Sequence, residues 1–280
     1  NLLFFMKRIT FLFLALVYLS ACEPQAEKEE KKGLEEEVKM ESAKAEKKEP
    51  IIQTIEAAHK RNEFLAHKGV QFDIEMTFGG QKGLEGRITA LTNSSKVRVD
   101  KEDGSSLIFD GKDVYISPAA ALYPKARFDA MTWSYFFMAP YKLSDPGVKI
   151  EVLGDENAEG RSYHTARMTF AAETGDSPED WYILYQNEET NLLYAMAYIV
   201  TLNRNVEEAS QEPHAISYED YQMVDGIPMA TEWRFWNWSP EEGIEDQIGE
   251  VVISDIKFVD PTDKTFEVPL DHQLVLMEEK

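Results

Sequence analysis

The sequence contains a single cysteine, few basic residues and no long apolar run. One cysteine, Cys22, excludes an internal disulfide framework. The longest apolar run, residues 9–18, has about half of the roughly 20 residues that a transmembrane helix needs, and this excludes a multi-span membrane protein. The 29 basic residues stand against 51 acidic ones, for a formal net charge of -22. Such a charge repels polyphosphate and anionic head groups, so we expect no nucleic-acid partner.

The rest of the composition is typical of a water-soluble globular protein. Hydrophobic residues make up 43%, aromatic residues 11% and charged residues 29% of the 280 positions. These fractions exclude a disordered chain and a collagen. The length allows one large domain or two small ones, in either case with a sizeable core.

The first 22 residues predict an export signal. Met6 is followed by the basic pair Lys7 and Arg8 and then by the apolar run. The run ends in LSAC at residues 19–22, which resembles the bacterial lipoprotein signal of a large apolar residue, two small ones and a cysteine. The resemblance implies that residues 1–21 are removed and that Cys22 carries acyl chains such as palmitate, which anchor the protein in a membrane. A plain secretory signal with an incidental cysteine is the alternative.

The residues after Cys22 indicate in which membrane the protein is expected. Glu23 stands where many enterobacterial lipoproteins of the inner membrane have aspartate, so the resemblance to that sorting rule implies the outer membrane. Glu27, Glu29 and Glu30 are similar to the export tags of some Bacteroidota surface lipoproteins, or they belong to a solvated tether. Both the periplasmic face and the cell surface therefore stay open.

Residues 22–49 predict a flexible charged tether. Between residues 23 and 50 there are 10 acidic and 7 basic side chains and almost no large apolar ones. Such a segment cannot bury enough apolar surface to offset the entropy of ordering it. Residues 50–280 then hold 41 acidic and 20 basic residues, a net charge of -21, so the acidity belongs to the predicted domain.

Residues 50–280 predict one antiparallel sheet with two helices. Pro50 opens an amphipathic helix that ends before Gly69, and residues 70–78 alternate between apolar and polar with the period of a strand. About 11–12 strands of this kind should curl into a barrel or half-barrel, or split into a sandwich. The further predicted strands are at 84–91, 97–99, 107–109, 114–116, 148–153, 163–171, 181–185, 192–202, 215–223, 229–238 and 251–259, with 265–268 as a weaker candidate.

One apolar segment, residues 119–141, interrupts this strand pattern. Its large residues, from Leu122 to Met138, leave almost no polar face, and a helix that is apolar on nearly all sides is a buried one. We expect this helix and the Pro50 helix to lie in the concave face of the curved sheet.

The order of elements resembles the half-barrel of the Lol-pathway lipoprotein carriers. The resemblance covers about residues 50–269, and it is carried by WYILY at 181–185, NLLYAM at 191–196, YEDY at 218–221 and the VDGIP turn at 224–228. The chain is similar, more specifically, to a group of Bacteroidota outer-membrane lipoproteins. The resemblance implies an α+β fold with a strongly curved antiparallel sheet that shelters acyl chains. The carriers' exposed apolar loop and buried arginine gate have no counterpart in the sequence, and we expect Arg87 and Arg98 to face solvent.

Two aromatic groups are candidates for binding a ligand. In the mid-chain helix these are Phe128, Met131, Tyr135 and Phe136. In the predicted strand 229–238, alternation places Trp233 and Phe235 on one face and Arg234, Trp236 and Trp238 on the other. Packing in the core is the alternative for both groups. If the second group binds, Trp236 and Trp238 would stack on a sugar or an acyl chain beside Arg234.

The sequence offers little for catalysis. The five histidines lack the close spacing of zinc ligands, no nucleophile motif is present, and acidic pairs are expected by chance among 51 carboxylates. We therefore expect no enzyme, no metal and no cofactor. The favoured function is an outer-membrane-anchored lipoprotein that binds a hydrophobic or amphiphilic ligand. A structural lipoprotein that presents an acidic surface to an envelope protein partner is the alternative, and an enzyme comes third.

Overall fold

Thirteen strands form one antiparallel sheet in the computed structural model, which describes residues 50–158, 161–172 and 174–276. The predicted signal peptide, Cys22 and the tether lie outside the described residues. Lys48–Lys280 is one compact unit that contains the whole sheet, its helices and its core. The unit thus has what a domain needs to fold by itself. None of the described helices is long and apolar enough to cross a membrane.

The helices are short and few, and the strands carry most of the structure. The helices are α1 (Pro50–Ala58), α2 (Arg61–Ala66), α3 (Ala126–Met138) and α4 (Val206–Ala209), with 3-10 turns at Ala139–Tyr141 and Asp263–Phe266. The strands are β1 (Gly69–Phe78), β2 (Gln81–Leu91), β3 (Val97–Lys101), β4 (Ser106–Phe109), β5 (Val114–Ser117), β6 (Val148–Ala158), β7 (Arg161–Phe170), β8 (Tyr182–Asn187), β9 (Leu193–Tyr198), β10 (His214–Val224), β11 (Ile227–Ser239), β12 (Gly243–Val259) and β13 (Gln273–Val275).

Two meanders make up the sheet. Strands β1 to β5 follow one another on one side and β6 to β12 on the other, in the order β13-β5-β4-β3-β2-β1-β12-β11-β10-β9-β8-β7-β6. The meanders are joined where β1 pairs with β12, from Gly69 opposite Val259 to Phe78 opposite Gly249. The sheet does not close, because β13 and β6 are its two edges.

The sheet is strongly curved. Strands β4 and β6 are ten strand positions apart, which is about 48 Å in a flat sheet. Yet Phe109 of β4 and Val148 of β6 line the same cavity, of about 440 Å³. Only a sheet that bends around its own concave face brings these two side chains together, so the predicted half-barrel curvature is present.

The main core fills the concave face. In β1, Val70, Phe72 and Ile74 are buried at the period of two that the sequence predicts. Helix α3 packs on this face, with the Phe137 ring stacked 4.1 Å from that of Phe72 and the Trp133 ring 5.9 Å from that of Phe235. The mid-chain helix thus packs against buried residues of β1 and β11.

A second, smaller core lies on the outer face of β7 to β12. Small side chains in the middle, such as Ala197 and Ala215, are covered by aromatic ones. Trp238 Nε1 donates a hydrogen bond to the Tyr185 hydroxyl at 3.0 Å, and Trp236 Nε1 donates one to Ser217 Oγ at 2.9 Å. We call this group the outer aromatic cluster; its buried members are Tyr163, Ile183, Tyr185, Ala195, Ala197, Ala215 and Trp238.

Two predictions about the strands and the first helix differ from the structure. Residues 265–268 are not a strand, because Thr262 and Thr265 cap the 3-10 turn Asp263–Phe266, and the thirteenth strand is instead Gln273–Val275. The Pro50 helix is two helices, because Lys60 adopts a left-handed conformation with φ of 58° and ends the first one.

The start of the mid-chain helix also differs from the prediction. Leu122 is 92% exposed rather than buried, because α3 begins only at Ala126 and the preceding loop runs over the surface. There the carbonyl of Ala121 accepts a hydrogen bond from the Gln273 side chain at 2.9 Å.

Candidate functional site

The site with the clearest shape is the cavity of about 440 Å³ between α3 and the two ends of the curved sheet. It is within the range of about 300 to 1,000 Å³ that is usual for small-molecule sites. It reaches the surface where Pro146 and Gly175, both exposed, contribute to its lining.

Helix α3 supplies one wall of the cavity. Phe128, Met131 and Tyr135 are three and four residues apart, so they share one side of the helix, and all three are only partly buried. Phe136 also lines the cavity and is buried among core residues. All four candidates in the mid-chain helix therefore lie at the cavity.

Side chains from both ends of the sheet supply the opposite wall. Val97 and Phe109 come from β3 and β4, and Val148, Phe170 and Tyr182 come from β6, β7 and β8. The wall is apolar apart from the Tyr182 hydroxyl. Burial raises the pKa of Tyr182 and of Tyr135, so both phenols stay neutral at physiological pH.

A buried carboxylate fixes α3 in this position. Asp129 accepts hydrogen bonds from Trp133 Nε1, at 2.7 Å, and from the Tyr123 hydroxyl. Burial raises the pKa of Asp129, while the hydrogen bonds from Tyr123 and Trp133 act in the opposite direction. Asp129 is not among the described residues that line the cavity.

Two ion pairs lie at the polar rim of the cavity. Arg127 contacts Asp176 with Nε at 2.8 Å and Nη2 at 2.7 Å from Oδ2. Lys142 Nζ lies 2.6 Å from Asp145 Oδ2 and 2.8 Å from Ser94 Oγ. The hydrogen bond from Lys142 to Ser94 joins the segment before β6 to the β2–β3 turn.

The candidates of β11 lie away from this cavity. Trp233 and Phe235 are buried in the main core under α3, because this helix covers the concave face of β11. Trp236 and Trp238 belong to the outer aromatic cluster, and Arg234 is engaged by Glu219 at 3.3 Å and Glu232 at 3.5 Å. The predicted division of the strand into two faces is correct, but the structure places neither face at the cavity.

Sequence reasoning missed the polar rim. Arg127 and Asp176, the partners of the first ion pair, are 49 residues apart, and no local spacing signals such a pair. Lys142 and Asp145 are three residues apart, but this spacing does not show that they lie at the cavity. The trace in the sequence is a basic residue near each end of an apolar helix, Arg127 in its first turn and Lys142 after its end.

One cluster has the side chains of a metal site. Asp155, His164 and Glu188 place one ligand atom each within 4.8 Å of the others, and such nitrogen and oxygen donors suit divalent transition metals. The His164 Nδ1 to Asp155 Oδ1 distance is 2.6 Å, that of a direct hydrogen bond, and all three side chains are at least 38% exposed. The groups are thus satisfied by one another and by water.

Comparison with known proteins gives structural likenesses only. No family model matches the sequence, and no curated protein matches it either. Among solved structures, a LolA superfamily protein from Nitrosomonas europaea is similar with a TM-score of 0.49 and 13% identity, over 76% of this chain and 97% of that chain. A DUF1329 family protein from Desulfovibrio piger is similar with a TM-score of 0.48 and 14% identity, over 79% of this chain and 98% of that chain.

Proposed function

We propose that this chain is an envelope lipoprotein, acylated at Cys22 and held at the outer membrane, whose curved-sheet domain binds a hydrophobic or amphiphilic ligand. The observation that supports the binding role is the cavity of about 440 Å³ between α3 and the sheet. Each methylene group of a ligand that leaves water there would contribute about 0.8 kcal/mol. The location at the outer membrane is part of this proposal. Membership of the Bacteroidota group of lipoproteins that the sequence resembles is part of it too.

The lining of the cavity supports binding rather than catalysis. The described residues that line it include no histidine and no cysteine. Of its three carboxylates, Asp145 and Asp176 are held by Lys142 and Arg127, and Asp180 accepts hydrogen bonds from the backbone and hydroxyl of Thr201. A general base poised near neutral pH needs a different environment.

The binding role is tested by filling the cavity. Met131 lines it from α3 and is only partly buried, so Met131→Trp adds a ring to the cavity rather than to the packed core. In the purified domain of residues 48–280, we expect this substitution to weaken the binding of a fluorescent fatty-acid analogue by about tenfold or more, because the added ring takes the space that the acyl chain of the analogue would occupy. Lipids extracted from the natively purified domain should decrease in parallel when measured by mass spectrometry.

The matched control is Met223→Trp. Met223 lies on β10, is 65% exposed and does not line the cavity, so the same substitution there should leave binding unchanged. Equal binding by the wild-type and Met131→Trp domains, or binding by neither, contradicts the proposed ligand role.

The acidic surface favours a second candidate function. Residues 50–280 carry a net charge of -21, which suits a basic patch on an envelope protein partner. Crosslinking in intact cells that captures a protein partner, together with a domain that holds no lipid, would favour this structural role. Loss of the crosslink at high salt would identify the attraction as electrostatic.

A further inference from the structure

We infer that the ligand is a lipid with one acyl chain and an uncharged, hydroxyl-bearing head group, and this inference rests on the proposed function. Three features of the cavity carry it: its volume, the state of the charged groups at its rim, and the hydroxyls among its lining residues. Each feature excludes or favours a different class of lipid.

The volume fits one acyl chain. A methylene group takes up about as much space as a water molecule, roughly 30 Å³ in the liquid. The cavity of about 440 Å³ therefore holds about 15 such groups, the size of one chain of 14 to 16 carbons. A diacyl lipid needs about twice this volume and a triacylated lipoprotein terminus about three times.

Both cations among the described lining residues are already paired with carboxylates, so neither is available to bind an anionic head group. The two cations that line the cavity, Arg127 and Lys142, are both held by carboxylates at 2.7 Å or less. Their pairs are partly shielded from water, since Arg127 and Asp176 are only 12% and 24% exposed. A carboxylate or phosphate head group would have to displace Asp176 or Asp145, and this would leave the displaced side chain unpaired.

The net charge of the rim also disfavours an anionic head group. The described lining of the cavity holds three carboxylates, Asp145, Asp176 and Asp180, and two cations. The rest of the domain adds to the negative potential. An anionic head group is therefore repelled before it reaches the rim.

Uncharged polar groups do find partners there. Thr132, Thr174 and Ser177 are among the lining residues, and a hydroxyl both donates and accepts hydrogen bonds. The carboxylates of the rim have lone pairs that would accept hydrogen bonds from the hydroxyls of a ligand. A glycerol head group supplies both donors and acceptors without a charge, so a monoacylglycerol is the simplest molecule of the inferred class.

Three lipids that share one acyl chain length test the inference. We would measure the affinity of the 48–280 domain for 1-monotetradecanoylglycerol, tetradecanoate and 1,2-ditetradecanoylglycerol by competition with a fluorescent probe at pH 8. We expect the monoacylglycerol to bind about tenfold or more tightly than the ionised fatty acid, because only the latter must displace a carboxylate. The diacyl lipid should compete about tenfold or more weakly.

A charge variant tests the cause of the preference. In Asp176→Asn the guanidinium of Arg127 loses the negative charge of its partner, so tetradecanoate should bind about fivefold or more tightly while the monoacylglycerol changes by less than about twofold. Asp246→Asn, at an exposed position of β12, removes the same charge far from the rim and should change neither affinity.

Each outcome decides the inference separately from the proposed function. Stronger or equal binding of tetradecanoate by the wild-type domain overturns the uncharged head group, and tight binding of the diacyl lipid overturns the single chain; in both cases the proposed function stands. These comparisons use the wild-type domain and do not depend on how Asp176→Asn folds. Binding of none of the three lipids overturns the proposed function together with the inference.

Discussion

His59 is a titratable side chain buried in the main core. It is 1% exposed and lies against the rings of Tyr141, at 5.9 Å, and Tyr221, at 5.6 Å. Its Nε2 accepts a hydrogen bond from the backbone N–H of Leu193 at 3.0 Å, which joins the residue after α1 to β9. Because Nε2 is the acceptor, this contact requires a neutral ring.

The burial of His59 makes stability depend on pH. Burial lowers its pKa from 6.5 to about 3. Between these two values the unfolded chain binds a proton that the folded chain does not, so the contribution is complete above pH 6.5 and is lost as the pH falls toward 3. We expect His59 to account for about 2 kcal/mol of the loss in unfolding free energy between pH 7 and pH 5.

Urea unfolding at several pH values measures this contribution. In His59→Gln the amide oxygen can still accept from Leu193, but nothing titrates, so the loss between pH 7 and pH 5 should be about 2 kcal/mol smaller than in the wild type. His272→Gln, at an exposed position, should keep the wild-type pH dependence. An unchanged pH dependence in His59→Gln would contradict the assignment of a buried neutral ring.

At the scale of secondary-structure elements, the cavity depends on helix α3, because this helix forms one of its walls. Asp129 accepts from Trp133 Nε1 within the helix and from the Tyr123 hydroxyl in the preceding loop, so one carboxylate fixes the start of the helix. Lys101 Nζ of β3 lies 3.6 Å from the centre of the Tyr123 ring and ties this loop to the sheet.

Removal of this carboxylate should loosen α3. In Asp129→Ala the buried indole N–H of Trp133 is left without an acceptor, and we expect a loss of about 2 kcal/mol in the free energy of urea unfolding. Asp260 forms an ion pair with Lys68 in which both side chains are exposed. Asp260→Ala should therefore lower the free energy of unfolding by less than about 1 kcal/mol. If the two variants lost the same stability, Asp129 would not be the residue that holds the helix.

Elements with a local signal could be predicted from the sequence. The alternation of Val70, Phe72 and Ile74 is visible because the side chains of a strand have a period of two. The turn between β10 and β11 is equally visible, since Asp225 and Gly226 both take positive φ, 50° and 81°, as such a turn requires. The spacing of Phe128, Met131 and Tyr135 on α3 belongs to the same class of signal.

Features that join distant segments could not be predicted. Alternation divides β11 into two faces, but it does not say that α3 covers Phe235 or that Trp236 and Trp238 close the outer aromatic cluster. The contact between Asp155 and His164 arises from the register of β6 and β7, which the spacing of histidines does not show. The rim pair Arg127–Asp176 depends on where α3 meets the loop between β7 and β8.

At the scale of the whole molecule, curvature and charge act together. The bend that brings β4 and β6 to one cavity accompanies the contact of Ser94 with Lys142 at 2.8 Å, which joins the β2–β3 turn to the polar rim. The net charge of -21 in residues 50–280 keeps this domain away from anionic head groups. A domain of this charge stays near a membrane only if something else holds it there.

The proposed acyl anchor at Cys22 would hold it there, and this can be tested in cells. In a bacterium with an outer membrane, the wild-type chain should incorporate labelled palmitate and stay in the membrane pellet after a high-salt wash, because several acyl chains bind a bilayer almost permanently. Cys22→Ser should abolish the label, since this cysteine is the only one in the sequence. Ser20→Ala keeps the pattern of two small residues before the cysteine and should be labelled like the wild type. Palmitate incorporation into Cys22→Ser would show that the acyl chains are attached elsewhere.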